Sequence, residues 1–585
     1  MADANELNAR IQGYCALCVS RCGTVAVVEN GRFVALEPDP SHPTGQAICA
    51  KGRAAPELVY HPDRLLYPLK RTRPKGDPDP GWQRISWDEA LATTAARLQQ
   101  LAAAHGPASV AFSAASPSTS ATSDATVWIE RLMRAFGSPN LCVAMELCGW
   151  GRFLATRYTY GSGVPGNYMP DLEHAGCILF WGYNPNIARL VHATAAAKAL
   201  RRGARLIVVD PRRAGLANKA DLWLQVRPGT DAALALAITQ VMVERGWYDH
   251  EFVRTWTNGP LLVRSDNGRF LRGSDLTPNG GAQHYVACSE STGAPVLYDS
   301  GAGRYLGDDG DLACFGTVEV ATPQGKLACQ PAFDFVAEAC RRISLAEAAA
   351  ICGVGSEQIV ATARMLWEAR PVAYYAWSGV EQQTGATDIA RAIAQLYALT
   401  GCLDAPGGNV LFTPVPTANV GSMDIPAAST QTPALGLADR PLGPARFGHA
   451  TTDELYRGIL EGQPYPVHGL VTFGSNLLVS HADGRRGRAA LGALDFYVHA
   501  DLFMNPTAEL ADIVLPVASC FECKALRLGF EVSADAQAHV QLRKAVVAPR
   551  GGRALVGALP LHHLLLLLLG ARVGLRLLHA VGSRG

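Results

Sequence analysis

Apolar positions along this chain fall into short runs and amphipathic stretches that alternate in a regular way. Trp87–Leu101 repeats its apolar residues at helical spacing, Ala108–Phe112 is a short apolar strand, and a second helix over 124–136 leads into Gly137-Ser138-Pro139-Asn140. The strand Cys177–Trp181, a helix over 187–200, the strands Leu206–Asp210 and Leu222–Val226 and a helix over 232–244 continue the alternation. Strands spaced by helices of ten to fifteen residues predict a parallel, doubly wound sheet. Ligands in such sheets sit beyond the carboxyl ends of the strands, which singles out WGYNPN (181–186), DPRR (210–213) and PGTD (228–231).

Residues 256–330 are rich in Gly, Asp and Thr and read as hairpins inserted into the α/β body. Helical patterns return over 343–368. A second α/β series follows, with strands over 371–377, 467–473, 496–500 and 511–516, a helix over 387–400 and a GSN loop at 474–476. Residues 411–450 show no clear element and are expected to form a long loop over a cleft. Near the start, Val25–Glu29 and Arg32–Glu37 flank Asn30–Gly31, a strong hairpin signal, so a small β domain is expected there.

At 585 residues the chain has room for three or four domains, and 48% hydrophobic against 18% charged residues describes large buried cores. A net charge of +1 gives no reason to expect a nucleic-acid partner. The fifteen cysteines are too scattered for a disulfide framework and favour a reducing, cytoplasmic compartment. The first ten residues lack the basic and apolar regions of an export signal. The apolar run Leu564–Leu569 is too short for a membrane span.

Four of the cysteines form a pattern. Cys15, Cys18 and Cys22 lie in one tight loop, and Cys49 follows after 26 intervening residues, within Cys49-Ala50-Lys51-Gly52. A compact loop that wraps three corners while a distant segment closes the fourth suits a [4Fe–4S] cube. Four-cysteine zinc sites more often use two separated CxxC pairs, yet zinc stays open as the competitor. Lys51 is either a solvated lysine or a cation placed beside an anionic cluster. Other signals are weaker. Residues 161–166 match GxGxxG without the strand-to-helix context that a dinucleotide fingerprint needs. Cys142 and Cys148 read as buried thiols on composition alone, Cys520 and Cys523 form an isolated CxxC, and His192, His481 and His499 have no partners at ligand spacing.

The order of these pieces resembles the molybdopterin oxidoreductases of the dimethyl-sulfoxide-reductase superfamily, in the branch that carries a cluster. The cysteine motif, YPLKR (67–71), ISWDEAL (85–91), GSPN, WGYNP, VVDPRR, ADLWLQVRPGTDAALALA (220–237), VTFGSNLL and DLFMNPTAELADIVLPVAS (501–519) carry the resemblance, over about residues 11–549. It implies a small iron–sulfur β domain (1–62) and two interleaved doubly wound parallel-sheet domains around a cofactor funnel. These would be 63–140 with 365–510, and 141–364 with the insertion 256–330, with 511–549 returning to the cluster region. It also implies two pyranopterin guanine dinucleotides holding molybdenum or tungsten. Cys148, eight residues after Asn140, matches the metal-ligand position, and Cys142 falls too early. A thiolate there suits a soft, electron-rich metal.

The same resemblance places Lys51 between cluster and pterin. It puts the segments of Trp181, Gly182, Asn184, Asp210, Arg212, Gly229, Asp231, Gly474 and Asn476 against the dinucleotides. Implied activities are oxygen- or sulfur-centred two-electron reactions on a small molecule, with electrons relayed through the cluster to a separate iron–sulfur or other electron-transfer subunit. Alternatives are a non-redox, acetylene hydratase-like tungsten enzyme or a truncated, inactive iron–sulfur protein. Gly149 directly after Cys148 argues against formate, and Val19, where the hydratase has an aspartate, argues against hydration. Glu146, Trp150, Arg152, Arg157 and Tyr158 flank the proposed ligand and are expected either to pack or to face substrate. Relatives continue past Pro549 with an acidic helix and a barrel domain. The Leu- and Arg-rich stretch 550–585 reads instead as a shifted reading frame, or as a helix docking a partner subunit.

Overall fold

The structure is a computed structural model that describes residues 7–115, 124–161, 168–277, 279–307, 310–411, 415–417, 432–530 and 532–551. The GxGxxG-like run after Gly161, much of the 411–450 loop and the stretch from 552 onward lie outside the described residues. The chain divides into two compact units: residues 1–150, 185–194 and 413–585 in the first, and 151–184 with 195–412 in the second.

In the first unit, Ala9–Tyr14, Gly23–Glu29 and Arg32–Pro38 form a three-stranded antiparallel sheet. Asn30 (φ +50°) and Gly31 (φ +72°) make its turn in the left-handed conformation that matches strand twist. The segment between the first two strands carries three of the four motif cysteines. Behind this sheet pack Phe521, Phe530, Val532 and Ala536, which share one core with Tyr14, Ala16 and Phe33. A buried ion pair, Arg64 Nη1 to Glu522 at 2.8 Å, fastens the same region, and the Arg550 amide donates to the other Glu522 oxygen at 2.9 Å.

The larger sheet of this unit has eight strands. His449–Ala450, Leu141–Val143, Val110–Ala114, Gly469–Phe473, Phe496–Asp501 and Ile513–Pro516 run parallel in that spatial order. Leu69–Lys70 and Gln83–Arg84 add an antiparallel edge. Register explains why the central strands are mostly apolar, with one buried polar row, Ser113, Thr472 and His499, running across them. Phe112, Val471 and Val498 align on one face under the helices Trp87–His105 and Thr126–Phe136. Ala111, Leu470 and Tyr497 align on the other, under Thr452–Glu461 and Gly484–Ala493. A strand buried on both faces is apolar on both rather than alternating with solvent-facing polar residues.

In the second unit, Leu222–Leu224, Arg205–Val209, Cys177–Trp181 and Val372–Ala376 form a fully parallel four-stranded sheet. The helices Asp231–Glu244, Ser356–Glu368 and Ala386–Leu399 pack into its core. Residues 262–331 supply two small antiparallel sheets, as the hairpin reading of 256–330 expects. Three expectations need correction. The stretch 411–450, expected to hold no element, ends in the strand His449–Ala450, which pairs with Leu141–Val143. Val372–Ala376, expected in one domain with 467–500, pairs with Cys177–Trp181 instead, because a five-residue apolar run encodes a strand but not its neighbour. The helix expected over 187–200 is two helices, Pro185–Ala188 and Leu190–Arg201, broken at Arg189.

Candidate functional site

The cysteine loop is closed by its own backbone: the Cys15 amide donates to the Cys22 carbonyl at 2.8 Å, and Arg21 (φ +47°) turns the chain in the left-handed region. Cys49 sits at the amino end of the turn Ala50–Arg53, which also carries Lys51. Cys15, Cys18, Cys22, Cys49 and Lys51 line one hollow, walled on its far side by Ile187 and Ala188 of the same unit. None of the fifteen cysteines is in a disulfide. Burial pushes the Cys22 thiol up to about 12, with Cys18 and Cys49 adding to the rise. Burial, then the neighbouring Cys520, raises Cys15 well above the ordinary thiol range.

Clustered thiols of this kind ionise readily only when a cation meets them. A single tetrahedral zinc, at about 2.3 Å from each sulfur, would bring the sulfurs within about 4 Å of one another. Four thiols round one hollow are the donor set that an iron–sulfur group takes. Elsewhere in this unit, His105, His468 and Asp495 bring three metal-ligating atoms within 4.8 Å of one another. In this trio His105 ends the helix Trp87–His105, while His468 and Asp495 directly precede the strands Gly469–Phe473 and Phe496–Asp501. Its imidazoles stack at 3.9 Å and 18°, and His468 Nδ1 pairs with Asp495 at 2.8 Å.

Cys148 is half-buried at the end of the short turn Ala144–Leu147, which follows the strand Leu141–Val143. Its amide and that of Gly149 both donate to the Met145 carbonyl, at 3.0 and 2.8 Å. Because the neighbouring strands are parallel, the loop after Gly469–Phe473 leaves the sheet at the same edge. There the Gly474 amide (φ +65°) donates to Ala500 at 2.7 Å, and Asn476 Oδ1 accepts from the Thr507 hydroxyl at 2.8 Å.

Cys142 differs: it is fully buried inside its strand, 3.4 Å from the Thr452 hydroxyl, and burial raises its thiol far above the ordinary range. Glu146, two residues before Cys148, accepts from the Thr452 amide at 2.8 Å and stands 3.2 Å from His481 Nε2. Sequence reading found no partner for His481, because the two residues lie 335 positions apart and share only a sheet edge. His499 is buried, held by Tyr497 at 2.7 Å.

In the second unit, Trp181, Gly182, Asn184, Asp210, Arg212, Gly229 and Asp231 all fall at the carboxyl ends of three of the four parallel strands or in the segments just beyond. Asp231 opens the helix Asp231–Glu244 and is buried; it accepts from Trp181 Nε1 at 2.7 Å and from Gln383 at 3.3 Å. It braces this edge from within. Gly182 (φ +57°) and Gly379 touch backbone to backbone: a Cβ on Gly379 would lie 2.7 Å from the Gly182 Cα. Asp210 accepts from the Arg212 amide at 2.8 Å, which folds the DPRR turn onto itself and leaves the Arg212 side chain exposed.

A feature that sequence reasoning missed is Glu381, also in this unit. It accepts from the Gly151 and Arg152 amides at 2.9 and 2.8 Å and from Arg152 Nε at 2.6 Å. Burial raises its carboxyl despite the guanidinium. Arg152 thus acts as an internal brace, with Trp377 4.5 Å beneath it. Trp150 is buried beside His449 at 5.2 Å in the first unit, whereas Tyr158 is exposed.

A family model described as Molybdopterin oxidoreductase matches residues 64–553, and one described as Molybdopterin oxidoreductase Fe4S4 domain matches residues 9–61. The chain is similar to dopamine dehydroxylase of Eggerthella lenta, at 28% identity over 601 residues that cover 86% of this chain and 58% of that protein. It is also similar to the thiosulfate reductase molybdopterin-containing subunit of Salmonella typhimurium, at 36% over 247 residues, 42% of this chain and 31% of that one. Acetylene hydratase of Syntrophotalea acetylenica is 26% identical over 532 residues, 86% of this chain and 62% of that protein. The chain spans less than two thirds of the length of each of these relatives. Among solved structures, acetylene hydratase from Pelobacter acetylenicus shares the fold, with a TM-score of 0.72 at 24% identity over 97% of this chain and 70% of that one. No helix among the described residues is long and apolar enough to cross a membrane.

Proposed function

The chain belongs to the molybdopterin oxidoreductase family, with its Fe4S4 domain, and from that premise we propose a catalytic subunit for two-electron, oxygen- or sulfur-centred redox chemistry on a small molecule. The observation that carries this reading is the hollow lined by four thiols, two buried and two half-buried, with Lys51 beside them. Cys15, Cys18, Cys22 and Cys49 would hold a [4Fe–4S] cluster, and Lys51 would offset its charge.

Bound pyranopterin guanine dinucleotides with molybdenum or tungsten would supply the two-electron step, and the protein supplies placement and tuning. Cys148 is the ligand proposed for that metal, at a carboxyl-end sheet edge where such folds bind ligands. Gly474 and Asn476 share that edge. Trp181, Gly182, Asn184, Asp210, Arg212, Gly229 and Asp231 lie at the corresponding edge of the four-stranded sheet, which we read as doubly wound. There, backbone amides and the start of the helix Asp231–Glu244 can hold pyrophosphate. A relative named as one subunit of a thiosulfate reductase supports an electron-transfer partner here, and fifteen thiols outside disulfides suit a reducing, cytoplasmic compartment.

Val19 leaves no carboxylate directly after the second cysteine, so redox turnover is favoured over hydration. The test is anaerobic assay of the metal-replete protein with reduced viologen dyes against thiosulfate, polysulfide, sulfoxides and catechols. Dye oxidation with at least one of them, abolished by Cys148→Ser, is expected. Metal-replete protein that hydrates acetylene without consuming dye would contradict the reading.

A further inference from the structure

Behind the cysteine loop, three buried charged residues from distant parts of the chain meet. Asp124 Oδ1 accepts from Arg21 Nη1 at 2.7 Å; its Oδ2 accepts from Arg543 Nη1 at 3.0 Å and from the Tyr14 hydroxyl at 3.3 Å. The three charged side chains are 3%, 8% and 3% exposed for Arg21, Asp124 and Arg543. Two of these contacts abut the loop: Arg21 directly precedes Cys22, and Tyr14 directly precedes Cys15.

Arg543 reaches this place along the strand Val540–Arg543, its stem passing Gly13, where a Cβ would lie 3.4 Å from the Arg543 Cγ. Its guanidinium sits 4.8 Å from the Tyr14 ring centroid, and its Nη2 is 3.7 Å from Cys523 Sγ. Cys520, the other half of that CxxC, is buried in the core that contains Cys15 and Ala16. The isolated CxxC of the sequence thus joins the surroundings of the cluster loop.

Packing alone does not call for such a group. Buried ion triads are commonly replaced by apolar side chains without loss of stability, because each ion pays for leaving water. What apolar residues cannot supply is a field. Reduction of the cluster adds one negative charge beside the thiolates, and in a low-dielectric setting a fixed cation nearby favours that state, whereas a fixed anion opposes it. We infer that Arg21, Asp124 and Arg543 form an electrostatic tuning element for the iron–sulfur cluster, with Arg543 raising its reduction potential and Asp124 lowering it. This rests on the cluster reading above. The three are positioning residues, acting through charge on the cluster and not on substrate.

The test uses the full-length, anaerobically purified protein, its iron measured first, and an EPR-monitored redox titration with dithionite and ferricyanide. Arg543→Gln is expected to lower the cluster midpoint potential, Arg543→Lys to restore it towards the wild-type value, and Asp124→Asn to raise it. Opposite signs are the signature, because a merely loosened loop would shift all variants the same way. Shifts of one sign, or none, at full iron content overturn the proposal. If Arg543→Gln loses its cluster, Asp124→Asn decides: a rise supports the field and an unchanged potential overturns it. A wild-type chain holding zinc instead of about four irons would overturn the cluster reading and the triad's role with it, a failure distinguishable from a loaded cluster indifferent to both charges.

Discussion

Two cysteines six residues apart show how environment assigns chemistry to the same side chain. Cys142 is sealed inside a strand, where burial and the nearby Glu146 keep its thiol protonated. Cys148 stands half-buried just past the strand's carboxyl end. Replacing Cys148 with Ser should lower turnover by at least about a hundredfold, the scale set by losing metal-supporting contacts, while iron content stays unchanged; Cys142→Ser should leave turnover near wild type. Steady-state assay with iron determination checks both. At the same scale, burial and then Arg134 push His449 down to about 4. Below pH 6.5 the unfolded chain takes up a proton that the folded His449 refuses, so stability falls as the pH drops from 6.5 towards 4, by up to about 3 kcal/mol. Melting curves across that window should be flatter for His449→Gln than for wild type; parallel curves would contradict the assignment.

Individual elements add constraints that no single residue carries. The loops after Cys177–Trp181 and Val372–Ala376 touch at Gly182 and Gly379 with no room for a side chain. Gly379→Ala should therefore cost about 1–3 kcal/mol by overpacking, read as a lowered urea midpoint with an unchanged slope. Most elements of both sheets were legible, because their apolar runs and spacers follow local rules. Cys177–Trp181 and the Asn30–Gly31 hairpin are the clearest cases. Strand partnership was not legible: Val372–Ala376 reads like any buried strand, and its pairing with Cys177–Trp181 depends on packing hundreds of residues away. The site divides in the same way. Cysteine spacing announces the four-thiol hollow, whereas Glu381 with Arg152, Glu146 with His481 and the Arg–Asp–Arg triad exist only where the fold brings distant positions together.

For the molecule as a whole, each unit presents the carboxyl edge of a parallel sheet, and the first also carries the thiol hollow. In that unit the buried Arg64–Glu522 pair joins the cluster region to Arg550, at the end of the described chain. Glu522→Ala strands a buried guanidinium, a loss on the order of 3–5 kcal/mol. Denaturant titration should show that drop together with faster release of iron. An unchanged midpoint would mean that the region is held by packing alone.

Elemental analysis of the anaerobically purified protein, combined with EPR of its reduced form, bears most directly on the thiol hollow and Cys148. The account predicts about four irons and one molybdenum or tungsten per chain, with the iron signal lost when Cys15 or Cys49 is replaced by Ser. One zinc in place of the iron, or no molybdenum or tungsten at full iron content, would contradict it.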